Sequence, residues 1–112
     1  MVKFLIVLKS SDHLDIKTGL NIAINLKING AEDVKVLYLG PAISFLTKKL
    51  ENEQFNEQIN KIKNNNIKLY ACQKSMENYG ISKDNLIYVD EVNIGSKLML
   101  DYSEKEYKIL IF

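Results

Sequence analysis

The fold of this chain is most restricted by short apolar runs of strand length that recur between segments of helical spacing. The first, VKFLIVL (Val2 to Leu8), is continuous after one lysine, as a strand buried on both faces should be. A polar loop, KSSDHLD, follows it. Ile16, Leu20, Ala23 and Ile24 then recur at helical spacing, with Asp15 as the expected N-cap and Gly30 as the C-terminal stop. VKVLYLG (Val34 to Gly40) is a second strand, and Pro41 suits a first helical position. Ala42 to Asn64 carries Leu46, Leu50, Phe55, Ile59 and Ile62 and reads as one long helix or two short ones. IKLYA is a third strand, and Gln73 to Tyr79 is a short helix closed by Gly80. NLIYV reads as a fourth strand, Ile94, Leu98 and Tyr102 mark a helix, and YKILIF is a last strand.

Strands alternating with helices imply crossover connections and a mainly parallel sheet covered on both faces. The expectation is therefore an α/β fold, a three-layer α/β/α sandwich with about five strands, formed as one domain over residues 1–112. In such sheets ligands and chemistry collect at the carboxyl ends of the strands. That rule selects Ser10 to His13, Gly40 with Pro41, Cys72, and Gly95 with Ser96 before any motif is considered.

Cys72 is the only cysteine, which forbids an intramolecular disulfide and fits a reducing compartment. At the start of a helix its thiolate would be favoured by unpaired N–H groups and by the macrodipole, and Lys74 could add to that field. A thiolate there can attack sulfur electrophiles, carry a persulfide or be oxidised. The alternative is a small buried hydrophobe at a strand end. His13, the only histidine, could exchange protons beside Cys72 if the two loops meet, or could simply be a solvated loop residue. Ser10, Ser11 and Asp12 could bind an anion, but helix capping is the commoner use of such residues.

Several functions lack support. There is no G-x-x-x-x-G-K-[ST] and no G-x-G-x-x-G, so phosphate-loop or dinucleotide binding has no motif, and one His with one Cys cannot fill a usual zinc site. No cofactor or metal is expected. All 15 basic residues are lysines and net charge is +1, which argues against specific nucleic-acid reading. The longest apolar runs are far too short for a membrane span, and MVKFLIVLKSSDH lacks the apolar length of a signal peptide, so a cytoplasmic protein is expected. Glu51, Glu53 and Glu57 beside Lys48, Lys49 and Lys61 read as a solvated helix surface, and the tyrosines are assigned no chemistry.

The segment KLYACQKSMENYGI has Cys72 at a strand-to-helix junction and Gly80 eight positions later. Together with NGAEDVKVLYLGPAI and NIGSKLMLDYSEKEYKILIF, it makes the chain resemble the DsrE/DsrF-like family, whose members share the YchN-like fold. The resemblance covers nearly the full length, with the cysteine segment its most specific part. It implies a parallel-sheet sandwich, assembly into homotrimers or hexamers, and a cysteine that carries sulfur as a persulfide. Only Cys72 transfers as a catalytic position. With no second cysteine to resolve a persulfide internally, release would need a thiol from a protein or small molecule, so a sulfur carrier is expected. The alternative is a non-catalytic oligomeric module that binds a small ligand or protein and in which Cys72 is structural. A flavodoxin-like flavin or nucleotide binder rests on fold analogy alone.

Overall fold

The computed structural model describes residues 1–47 and 53–112. Its strands are β1 (Lys3–Leu8), β2 (Asp33–Tyr38), β3 (Lys68–Cys72), β4 (Glu91–Asn93) and β5 (Lys108–Ile111). They form one sheet in the order β4-β3-β2-β1-β5 in which every pairing is parallel. The helices are α1 (His13–Ile28), α2 (Glu53–Asn64), α3 (Gln73–Asn78) and α4 (Gly95–Glu104), with tighter 3-10 segments at Gly40–Leu46 and Lys83–Asn85.

Strand register shows why the central strands are apolar at successive positions. Leu8 pairs with Tyr38 on one face, while Leu37 pairs with Tyr70 on the other, the face that Cys72 also shares. A Cβ on Gly19 of α1 would lie 2.3 Å from Leu8 Cδ2, which places α1 against the first face. A Cβ on Gly95 of α4 would meet both Cys72 and Leu37, which places α4 against the second. α2 lies beside α1, tied by Gln58 Nε2 donating to Asn21 Oδ1 at 2.8 Å and to the Lys17 carbonyl at 3.1 Å. The strands between these layers must be apolar both ways, and Leu5 through Leu8 are all buried. The three-layer α/β/α arrangement is the one expected.

Three local expectations differ from the structure. The N-cap of α1 is Asp12, whose side chain accepts the Leu14 N–H at 2.8 Å, and not Asp15. Asp15 lies in the first helical turn and accepts the Ser10 hydroxyl at 2.6 Å. Acidic residues serve both positions, so spacing alone left the start uncertain by one turn. Of the stretch from Ala42 to Asn64, expected as one long helix or two short ones, the described residues form the 3-10 segment Gly40–Leu46, with Pro41 as its second residue, and α2 from Glu53. The difference is that the first piece is a 3-10 rather than an α-helix. Lys48, Lys49, Leu50 and Glu51, read above as part of that helical stretch, lie outside the described residues.

The third difference is the fourth strand. Asn85–Val89 does not enter the sheet. Its backbone is spent on the 3-10 segment instead, with the Ile87 N–H on the Leu46 carbonyl at 2.7 Å and Leu86 bridged antiparallel to Thr47. Tyr88 then takes a left-handed φ of 68°, which ends any extended run. Contact with β3 begins at Asp90, whose N–H bonds the Leu69 carbonyl at 2.9 Å, and β4 proper is the short polar segment Glu91–Asn93.

Candidate functional site

Cys72 is both the last residue of β3 and the N-cap of α3, with extended backbone at φ −77° and ψ 118°. The chain leaves the sheet, turns once and starts a helix, which ends when Gly80 takes φ 64°. There the Gly80 N–H reaches the Glu77 carbonyl and the Ile81 N–H reaches the Met76 carbonyl. Gly80 thus closes the helix as its spacing from Cys72 suggested.

The strand order decides which candidate loops meet the cysteine. β3 lies between β4 and β2, so the residues just beyond those two strands, Gly95 and Gly40, flank Cys72. Gly95 opens α4, and a Cβ there would stand 3.1 Å from the Cys72 Sγ, so a larger residue would have to part the helix start and the sulfur by a few tenths of an ångström. Gly40 takes φ 57° and donates its N–H to the Ser75 hydroxyl at 2.7 Å. Ser75, on α3, is 8% exposed and faces the thiol.

Burial pushes the Cys72 thiol up. It is outweighed by the Ser75 hydroxyl and by the backbone N–H groups of Ser75, Gly95 and Lys74, which together hold the thiol below its ordinary value of 9.0. Neither α3 nor α4 has a side-chain cap or an acidic residue in its first turn. Cys72 itself is a free thiol, 6% exposed.

Other expected residues sit differently. Lys74 contributes its backbone N–H, while its side chain is exposed. Ser96 is exposed in the first turn of α4, and Pro41 is half-buried in the 3-10 segment. Ser10 and Ser11 belong to the turn beyond β1, two strands from β3. Ser10 is committed to that turn, accepting the Asp12 N–H at 3.0 Å and donating to Asp15. His13 is the first residue of α1, not a loop residue, and its ring packs at 5.0 Å from Phe45 and 5.7 Å from Phe55. The groups that lower the Cys72 thiol are those of Ser75, Gly95 and Lys74, while His13, which could have exchanged protons beside Cys72 had the two loops met, stands in an aromatic cluster with Phe45 and Phe55.

The tyrosines, given no chemistry above, hold α4 in place. Tyr70 and Tyr102 share a hydroxyl hydrogen bond of 2.6 Å beneath α4, and Tyr107 donates to Asp33. Burial, then these bonds, push Tyr102 and Tyr107 above the ordinary phenol range. Anchored in this way, α4 begins with Gly95 beside the sulfur. Among the described residues no group of three or more His, Cys, Asp or Glu side chains could hold a metal, and no helix is long and apolar enough to cross a membrane.

A five-stranded parallel sheet flanked by helices, with a free cysteine between two helix starts at its carboxyl rim, defines the class: a small α/β protein with a rim thiol. The chain belongs to the DsrE/DsrF-like family, whose sequence profile matches residues 1–112. That family is associated with sulfur relay. Among solved structures, a protein of unknown function from Methanobacterium thermoautotrophicum is similar with a TM-score of 0.85 at 12% identity, over 100% of both chains. The ychN protein of E. coli is similar with a TM-score of 0.76 at 21% identity, again over 100% of both. A conserved protein of unknown function from Bacteroides thetaiotaomicron has a TM-score of 0.70 at 24% identity, over 98% of this chain and 94% of its own. These likenesses establish the shared fold. No curated protein matches the chain significantly.

Proposed function

We propose that this protein is a sulfur carrier that accepts sulfane sulfur on Cys72 and passes it to a partner thiol. One observation carries the reading: the free Cys72 ends β3 at the start of α3, so close to the start of α4 that a Cβ on Gly95 would stand 3.1 Å from its Sγ. Membership of a family associated with sulfur relay supports it.

The chemistry uses two displacements. The Cys72 thiolate attacks the outer sulfur of a donor persulfide R–S–SH, forming Cys72–S–SH and releasing R–S⁻. With a thiosulfonate anion the leaving group is the sulfinate, and the Cys72 persulfide forms in the same way. An acceptor thiolate then attacks the outer sulfur, and the pair of electrons in the S–S bond returns to Cys72 as thiolate. The acceptor must come from another molecule, because the chain has no second cysteine. Assembly with further copies of the chain, as homotrimers or hexamers, belongs to this reading. Ile94, Leu100 and Ile111 supply exposed apolar surface for it.

A donor such as thiosulfonate or a low-molecular-weight persulfide should raise the intact mass by one sulfur, about 32 Da, with loss of that mass on reduction and no gain in Cys72→Ala. Unchanged mass with several donors, in protein whose thiol still alkylates, overturns the proposal. The second reading is a binding module in which Cys72 only packs, and the 6% exposure of the residue is the observation that favours it.

A further inference from the structure

The sheet has two edges, and they differ in kind. β4 is short and polar, and its Glu91 carboxylate is paired with Lys68 at 2.8 Å. Short length and charge are the usual guards of a strand edge. β5, at the other edge, is largely unguarded. It reads Lys-Ile-Leu-Ile in unbroken register with β1, has no proline and only Lys108 as a charge, and leaves Ile111 55% exposed.

The register fixes which backbone groups of β5 are free. The Phe112 N–H bonds the Val7 carbonyl at 2.8 Å, and the Phe112 carbonyl accepts the Lys9 N–H at 2.9 Å. In a parallel ladder this pattern repeats at every second residue, so Lys108, Leu110 and Phe112 turn their N–H and C=O groups toward β1. Ile109 and Ile111 turn theirs outward, where no group among the described residues bonds them. The side chains alternate too. Ile109 and Ile111 share the face of Val7, Leu37 and Cys72, while Leu110 and Phe112 lie on the face that α1 covers.

We propose that β5 is a two-fold interface at which a second copy of this chain adds its own β5, antiparallel, with the Leu110 pair on the axis. The edge is complementary to itself in this arrangement. Ile109 of one copy stands opposite Ile111 of the other, so every outward N–H meets an outward C=O and the two isoleucines pack across the join. Charge favours the same occupant. Each Lys108 comes level with Phe112 of the other copy, where its ammonium meets an aromatic ring. The two lysines stand at opposite ends of the ladder, about four residues or roughly 13 Å apart, beyond the screening length at physiological salt. A parallel contact would bring them abreast. Both copies use the same edge, so the contact closes at two and leaves the guarded β4 edges outermost. This interface would serve the assembly in the reading above, and it stands whether or not Cys72 carries sulfur.

Sedimentation of the full chain at micromolar concentration provides the first test. Wild type should form an even assembly, a dimer of the 12.9 kDa chain or a multiple of that dimer. Ile111→Lys and Ile111→Pro should halve the mass and weaken self-association at least about tenfold, because each change enters the ladder twice. The Ile111 N–H points away from β1, so neither change removes a bond within the copy, and the circular dichroism spectrum should stay native. Cross-linking tests the register. Leu110→Cys in a Cys72→Ala background places both thiols on the axis, at a pairing whose Cα atoms stand about 4.5 Å apart, and diamide should join the copies. Ile111→Cys sets its thiols on the diagonal and should cross-link at least about tenfold more slowly. A monomeric or trimeric wild type overturns the proposal, as does an even assembly that Ile111→Lys leaves whole. Equal cross-linking of Leu110→Cys and Ile111→Cys, or none with Leu110→Cys, overturns it as well. An intact interface in a protein that never gains sulfur refutes the carrier alone. Sulfur gain without the interface does the reverse.

Discussion

Replacing Gly95 by alanine tests whether α4 is seated on the sulfur. The added Cβ would stand 3.1 Å from Sγ, 3.5 Å from the Cys72 Cβ and 3.7 Å from Leu37 Cδ2. Ordinary non-bonded contact begins at about 3.5 Å, so helix and sulfur must separate by a few tenths of an ångström. Neither moves freely. Cys72 is fixed as the end of β3, and α4 is held by buried Leu98 and by the bond of 2.6 Å between Tyr102 and Tyr70. Overpacking of this kind costs about 1–3 kcal/mol. Gly95 does not have a positive φ, so alanine fits the backbone and returns up to about 1 kcal/mol of helix preference. The net loss is about 1 kcal/mol, read as a melting temperature lower by roughly 4 °C in a chain of this size. The Gly95 N–H is one of four groups lowering the thiol pKa, so its displacement should raise the alkylation midpoint by up to about one unit. Thermal melts and pH-dependent alkylation measure the two effects together. A variant that melts at or above wild type with an unmoved midpoint refutes the reasoning.

Two further outcomes follow from other groups. The folded thiol titrates below 9.0, so between its folded value and 9.0 the unfolded chain binds more protons. The stability of wild type relative to Cys72→Ala should therefore rise with pH across that window, level off above it, and be lost as pH falls through the folded value. Urea unfolding at a series of pH values checks this, and a pH-independent difference contradicts it. Asp90→Ala removes the acceptor of the buried Leu69 N–H, now bonded at 2.7 Å, and should cost about 2 kcal/mol, with Asp90→Asn milder because it keeps an oxygen. Chemical denaturation measures this, and the partly exposed Lys63 partner adds little.

The sheet was legible because buried parallel strands leave continuous apolar runs, as β1, β2 and β3 do. β4 left none. It is a three-residue edge strand of Glu, Val and Asn, while the apolar run before it covers the 3-10 segment. Strand-end reasoning selected Cys72, Gly40 and Gly95, and the strand order then brought those three together. It also selected Ser10 and His13, which lie beyond β2, because a sequence gives strand ends without giving their neighbours. Ser75 was missed, although its spacing from Cys72 is that of an N-cap and its third helical residue. The signal was present in the residues. Its meaning depended on burial and on the Gly40 N–H, which only the folded chain supplies.

The sulfur-carrier proposal requires Cys72 to be a reactive thiolate in the folded protein, although only 6% exposed. Native-state alkylation at neutral pH, timed against global unfolding measured under the same conditions, tests it most directly. Labelling far faster than unfolding, at Cys72 alone, is the predicted result. Labelling that keeps pace with unfolding would contradict it and leave the cysteine as packing.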